Sequence, residues 1–184
     1  MFDDSLDVVF SMVERAFMRI QAVDVLVTCL EKEDTTPIQN LVEGLVVAGP
    51  SSLNALREIR AEIDARRTEL QSEIAHTFSN VEESLNNWGV NLTGLTERDS
   101  THGLDAGYLG GFLRQQGIGD EHRLKECTHL LNSSKVVMSH LARQILLLDE
   151  VTIYLEDWMG GLMYQSAHQR GENLVSSPKT RLWQ

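Results

Sequence analysis

The sequence predicts an all-α protein: an antiparallel bundle of three long and two short helices with coiled-coil-like seams. Apolar residues recur at alternating steps of three and four along three long stretches, as on one face of a helix. The 184 residues include only 3 prolines, which suits a mostly helical chain. A hydrophobic fraction of 42 % and a charged fraction of 23 % are typical of a folded globular protein rather than a disordered one.

The first predicted helix has Asp3 or Asp4 as its N-cap and ends in the polar stretch 31–35. From residue 22 to residue 30 the chain is apolar almost all round, which predicts burial on more than one side. The three-four seam of this helix comprises Leu6, Val9, Val13, Ala16, Ile20, Val23, Val27 and Leu30.

Two helices follow in the sequence. Thr36 and Gln39 have capping-box spacing and Pro37 suits the first helical position, so a short helix is expected there, closed by Gly49. A serine at 51 or 52 then caps a helix of roughly 36 residues, a length of about 54 Å.

The second half of the chain opens with a predicted loop at 89–104 and a short helix at 105–116. A long helix follows from Asp120 to Met163, with a possible break near Ser133 because such residues compete for backbone hydrogen bonds. We expect a single helical-bundle domain at 1–165 and a polar, mobile tail at 166–184.

A repeated Glu-x-x-His is the sharpest chemical signal, as Glu73 with His76 and Glu126 with His129. Two such pairs on different helices supply the inward ligands of ferritin-like di-iron bundles. At about 100° per residue, however, both histidines point away from the apolar stripes of their helices. A chance pairing of surface residues is therefore favoured over a metal site.

Two charged residues, Asp24 on the first predicted helix and Arg67 on the third, fall within the apolar stripes of their helices. Burying a charge is costly unless it is paired. One hypothesis is a buried ion pair of Asp24 with Arg67, or with Arg60, that fixes the helix register. The simpler alternative is that supercoiling keeps both charges at the edge, since a straight helix drifts by ~20° per heptad from a 3.5-residue repeat.

The end of the long helix concentrates aromatic and methionine residues, which are enriched at protein interfaces. Core packing at the bundle end is the competing interpretation, whereas an aromatic residue in the polar tail needs a surface on which to dock. The candidate interaction residues are Trp158, Met159, Leu162, Met163, Tyr164 and, in the tail, Trp183.

Composition excludes several function classes. The net charge of −11 opposes binding to nucleic-acid phosphates and anionic membranes. No uncharged apolar run approaches the ~20 residues that cross a bilayer, so we expect no membrane insertion. No phosphate-loop, dinucleotide or nucleophile-elbow motif is present, so we expect no cofactor and assign no catalytic residue.

Cys29 and Cys127 lie in apolar helical runs without a CxxC spacing, which predicts free thiols in a reducing, cytoplasmic setting. The first residues carry no basic segment of the kind that opens a secretory signal. The function favoured by the sequence is therefore a non-enzymatic protein–protein interaction module.

Such a module would be an adaptor, scaffold or assembly factor acting through long amphipathic helix faces. Its partner would be another protein or a second copy in a homodimer, because unequal helix lengths leave part of the longest helix uncovered. The alternative is a metal- or small-molecule-binding bundle of ferritin-like type that uses the two Glu-x-x-His pairs.

Overall fold

A computed structural model describes residues 3–91 and 106–175, and these residues form an all-α protein, which confirms the predicted fold class. No β-strand occurs in the described ranges. A short 3₁₀ turn at Gly49–Ser52 links the second helix to the third. The helices in chain order are α1 (Asp3–Lys32), α2 (Thr36–Val47), α3 (Leu53–Asn87), α4 (Ala106–Gln115) and α5 (Glu121–Val175).

Three of the helices end in the same local geometry. The residue after the last turn has a positive φ: 50° at Glu33, 79° at Gly89 and 89° at Gly117. The next amide then donates to a carbonyl five residues back, which satisfies an otherwise orphaned acceptor of the helix end. The donor–acceptor pairs are Asp34 to Cys29, Val90 to Leu85 and Ile118 to Leu113, at 2.9–3.1 Å.

The start of α2 follows the predicted position but uses a different cap. The carboxylate of Asp34 accepts hydrogen bonds from the backbone N–H of Thr36 at 3.0 Å and from its hydroxyl at 2.6 Å. The amide side chain of Gln39 donates to the hydroxyl of Thr35 at 3.2 Å. The expected reciprocal pair of Thr36 with Gln39 is therefore replaced by an aspartate cap two residues before Thr36.

The chain divides into two compact units, of which the first comprises residues 1–67 and 146–184. It contains α1, α2, the start of α3 and the end of α5. Polar contacts link these helices, among them the hydroxyl of Tyr154 donating to Glu43 at 2.8 Å. Buried apolar residues of this unit are Ala22, Leu26, Cys29, Leu30, Ile38, Val42, Leu56, Ile59, Ile63, Leu148, Val151, Leu155 and Leu162.

The second unit comprises residues 68–145. Its apolar cluster joins the end of α3, the helix α4 and the start of α5, with three further leucines packed against it. The buried members are Val81, Leu85, Val90, Leu109, Phe112, Leu113, Ile118 and Cys127.

The helix α5 runs without a break from Glu121 to Val175. The hydroxyl of Ser134 donates to the Leu130 carbonyl at 2.7 Å, so this serine is satisfied within the helix instead of interrupting it. The boundary expected at residue 165 falls inside α5, and residues 166–175 are helical. The polar, mobile tail remains a prediction. A single domain over 1–165 remains a prediction.

Candidate interaction surface on α1

Two opposite faces of α1 differ in what covers them. At about 100° per residue, Ala22, Leu26 and Cys29 share one face, and their side chains are buried in the first unit. The opposite face lies roughly 160° away. Its large apolar side chains, which we call the α1 face, are 44–65 % exposed: Val9, Phe10, Met12, Val13, Phe17, Ile20, Val23 and Val27.

The predicted seam is therefore the exposed side of α1. Among the seam residues whose side chains the structure describes, Leu30 is buried and all the others are exposed. The reason is that α1 is apolar almost all round near its C-terminal end. Its contacts within the first unit use Ala22 and Leu26, and these contacts leave the three-four seam uncovered.

The N-terminal part of α1 gains little burial from its own unit. From Asp7 to Gln21 every side chain is exposed except that of Met18, which is half-buried. A cavity of about 170 Å³ is lined by residues of this stretch and of α3, among them Arg15 and Glu58. Because an isolated helix of this length is marginal in water, the stretch stands to gain most from an external partner.

The α1 face has the size of an interface. An aromatic side chain presents ~150–250 Å² and the aliphatic ones somewhat less, so eight residues at 44–65 % exposure present on the order of 800 Å². The largest apolar patch of a typical monomer is ~300–600 Å², and one partner of a standard complex contributes ~800 Å². The exposed Asp24 lies on this face at about 100° per residue. Arg19 lies at the margin of the face and pairs with Glu62 on α3 at 2.7 Å.

The sequence does carry a signal for this surface. In a two-stranded coiled coil the positions beside the seam are usually charged. In α1, Phe10, Met12 and Phe17 occupy such flanking positions and widen the apolar stripe. A stripe of this width indicates a broad contact surface rather than a narrow seam.

The residues predicted at the end of α5 do not all share one surface. Leu162 is 2 % exposed and belongs to the core of the first unit. Met159 is half-buried, whereas Trp158, Met163 and Tyr164 are exposed. The interaction role of the exposed residues remains a prediction, and the packing interpretation fits Leu162.

Two ring contacts hold the exposed aromatic residues of this segment. Trp158 lies edge-on to Tyr154 with ring centroids 6.3 Å apart. Tyr164 stacks on His168 at 6.4 Å with nearly parallel planes. Trp183 lies outside the described residues.

The structure corrects the predicted pairing of Asp24 with Arg67. Asp24 is exposed on α1. The Arg67 guanidinium instead contacts the carboxylate of Asp149, and it also donates to Asp64 at 3.4 Å and to the Thr152 hydroxyl at 3.5 Å. The physical reason is that α5, rather than the stripe of α1, presents a carboxylate to this part of α3.

Arg60, the alternative partner of Asp24, also pairs elsewhere. Its guanidinium donates to Asp64 at 3.0 Å within α3 and to Glu156 of α5 at 2.6 Å. Both arginines therefore connect α3 to α5 inside the first unit.

The Glu-x-x-His residues are not gathered into a site. Glu73, His76, Glu126 and His129 are all exposed, and Glu126 pairs with His122 of its own helix at 3.3 Å. Within the described ranges, no group of three or more His, Cys, Asp or Glu side chains could hold a metal ion. The ferritin-like arrangement requires inward ligands, and this geometry does not provide them.

The two cysteines are free and buried, Cys29 in the first unit and Cys127 in the second. Burial raises the pKa of each thiol, because the apolar surroundings disfavour the thiolate. Both therefore have the character of inert core residues rather than nucleophiles.

Comparison with known proteins gives no relative: no family model, no curated protein and no solved structure matches the chain. The helices in the described ranges also include none that is long and apolar enough to span a bilayer. Function must therefore be argued from the surface itself.

Proposed function

We propose that this chain is a non-enzymatic protein–protein interaction module, an adaptor, scaffold or assembly factor, that binds through the α1 face. The supporting observation is that the α1 face presents eight exposed large apolar side chains on a helix whose N-terminal half is almost entirely exposed. The mode is helix-face recognition, in which anchors at i, i+3, i+4 and i+7 pack against a complementary helical surface.

We further propose that the partner is a second copy of the chain. Val13, Ile20 and Val27 recur every seven residues, and a heptad repeat of apolar residues is the pattern through which helices pack together in coiled coils. Two α1 faces would each bury roughly 800 Å², which matches the ~1,600 Å² of a standard interface. A twofold axis would satisfy both faces at once because they are identical.

Substitution of neighbouring residues tests this proposal. Ile20 lies at the centre of the α1 face, whereas the exposed Gln21 lies about 100° round the helix at the edge of that face, so Ile20→Asp and Gln21→Asp place the same carboxylate at the centre and at the edge of the surface. We expect light scattering to give twice the 20.7 kDa chain mass for the wild type and for Gln21→Asp. Ile20→Asp should give the mass of one chain, with unchanged helical content by circular dichroism.

The measured masses test the homodimer separately from the more general proposal of a protein–protein interaction module. A monomeric wild type would remove the homodimer while leaving a different protein as the partner. Affinity capture from native cells then tests the module itself, because a specific partner should be lost with Ile20→Asp and kept with Gln21→Asp. Equal masses and equal captured proteins for the two variants would remove the α1 face as the interaction surface.

A reducing, cytoplasmic setting is part of the same proposal. It is supported by Cys29 and Cys127, which are free and buried in separate apolar cores. An oxidising compartment favours paired cysteines. Labelling with a fluorescent protein at each end in turn, followed by imaging, checks the location.

A further inference from the structure

The second unit contains an open groove between α4 and the first third of α5. Its cavity volume is about 720 Å³, within the ~300–1,000 Å³ of small-molecule sites. One wall is formed by α4 and the other by one face of α5. The lining residues are Gly110, Gly111, Arg114, Leu124, Lys125, Thr128, His129, Asn132, Ser133 and Val136.

The charged side chains that line the groove are all positive. Arg114 of α4 and Lys125 of α5 supply two permanent cations, and His129 and Asn132 add ring and amide nitrogens. The lining, all of it within the described residues, includes no carboxylate, although the chain carries a net charge of −11. A cleft lined by one sign of charge attracts the opposite charge, and hydrogen bonds from charged donors to an anion are stronger than neutral ones. The groove therefore favours an anionic group.

The Thr128 and Ser133 hydroxyls are already committed as donors to carbonyls of their own helix, at 2.7 and 3.0 Å. The donors left to an anion are therefore the guanidinium, the ammonium, the amide and the imidazole. Leu124 and Val136 provide apolar wall on the same side. The groove thus offers cationic donors and hydrocarbon contact together.

Two glycines of α4 have no explanation in packing within the chain. Gly110 and Gly111 lie in a helix interior, where glycine is the least favourable residue after proline. Neither has a positive φ, and a Cβ added to either would meet nothing within 4 Å. Their effect is to leave space along the groove, as glycines do where a ligand approaches the backbone closely.

We propose that this groove binds a small amphiphilic anion, a carboxylate or phosphate ester on an apolar body. Arg114 and Lys125 hold the anionic group, and the space beside Gly110 and Gly111 receives the apolar body. The proposal rests on the groove alone and is independent of the α1 face.

A nitrogen–proton correlation NMR titration of the full chain tests it with octanoate, octyl phosphate, inorganic phosphate and octyltrimethylammonium as probes. We expect both octyl anions to saturate and to shift the amides of 110–114 and 124–136. Inorganic phosphate should bind at least tenfold more weakly. The octyl cation should leave these amides unshifted.

Variants assign the binding to named groups. The double variant Arg114→Glu with Lys125→Glu should weaken octanoate at least tenfold, whereas Arg123→Glu, an exposed charge reversal on α5 outside the lining, should not. Gly111→Leu, which fills the groove without charge change, should also weaken it while circular dichroism stays unchanged.

Four results would overturn the proposal. The first is an octanoate affinity of the double variant equal to that of the wild type, and the second is a shift of the groove amides by the octyl cation. The third is a set of amide shifts confined to the α1 face, and the fourth is an Asp- and Glu-rich peptide that binds more tightly than octanoate. The last result would assign the groove to acidic protein segments instead.

Discussion

The contact of Arg67 with Asp149 can be measured against the pairing with Asp24 that the sequence suggested. Arg67→Met keeps most of the apolar stem and removes the guanidinium, and Asp149→Asn removes the charge opposite. The two single variants and the double variant form a cycle that isolates the pairwise free energy. A second cycle with Asp24→Asn in place of Asp149→Asn is the matched control.

The expected coupling lies between those of exposed and buried pairs. The Arg67 side chain is 24 % exposed and that of Asp149 is 45 % exposed. Exposed pairs contribute ~0.2–1 kcal/mol, and removing one partner of a fully buried pair costs ~3–5 kcal/mol. We therefore expect a coupling of about 1–1.5 kcal/mol for Arg67 with Asp149 and less than about 0.3 kcal/mol for Arg67 with Asp24.

Urea unfolding followed by circular dichroism measures both cycles, and thermal unfolding gives a second reading. For a chain of this size 1 kcal/mol moves Tm by about 2–4 °C, so the difference is resolvable. A coupling of Arg67 with Asp24 as large as that with Asp149 would refute the placement of α5 beside α3. A null result in both cycles would show that the arginine contributes through its stem alone.

Four further measurements examine other parts of the structure. Leu155→Ala should cost about 2–5 kcal/mol of unfolding free energy because this side chain is fully buried, whereas Leu146→Ala, at 68 % exposure, should change it by less than about 0.5 kcal/mol in urea. Gly111→Ala should stabilise by about 0.4–1 kcal/mol, measured by thermal unfolding, since the backbone is helical and the space is open. Cys29 should react with iodoacetamide far more slowly at pH 8 in the folded protein than in urea, because burial raises the pKa of its thiol; equal rates would contradict its burial. Hydrogen bonds from the hydroxyl and then from the backbone N–H of Thr36 lower the pKa of Asp34 below its ordinary value. Its contribution to stability is therefore present above the unfolded pKa and lost as the pH falls through the lower folded pKa, which carbon NMR titration of the carboxylate measures directly.

Helix positions could be predicted because their signals are local. Pro37 and Gly89 fix boundaries through backbone geometry alone, and both predicted boundaries match the structure. The apolar seam predicted for α3 is only partly buried, since Phe78 and Trp88 are exposed and Ile74 is half-buried. Its buried members are Leu56, Ile59, Ile63, Leu70, Val81 and Leu85. A periodic pattern identifies an apolar face, and the helices that cover this face of α3 belong to the same chain.

The surface of α1 could not be predicted in the same way. Periodicity located the stripe through Val13 and Ile20 but contained no information on what covers it. The partner of Arg67 lies 82 residues away, and such a distance in sequence is closed only by tertiary packing. The end of α5 was missed because a solvated helix needs no apolar period, so a fading pattern was interpreted as a tail.

The charge on the α1 face, that of the exposed Asp24, has the same sign as the net charge of the chain, and this has a consequence for the ionic strength at which the proposed dimer forms. Each copy carries a net charge of −11, so two approaching copies repel one another while the face itself attracts only through burial. Screening lengths fall from ~30 Å at 0.01 M salt to ~10 Å at 0.1 M. Added salt should therefore tighten self-association, whereas it would loosen a complex with a basic protein.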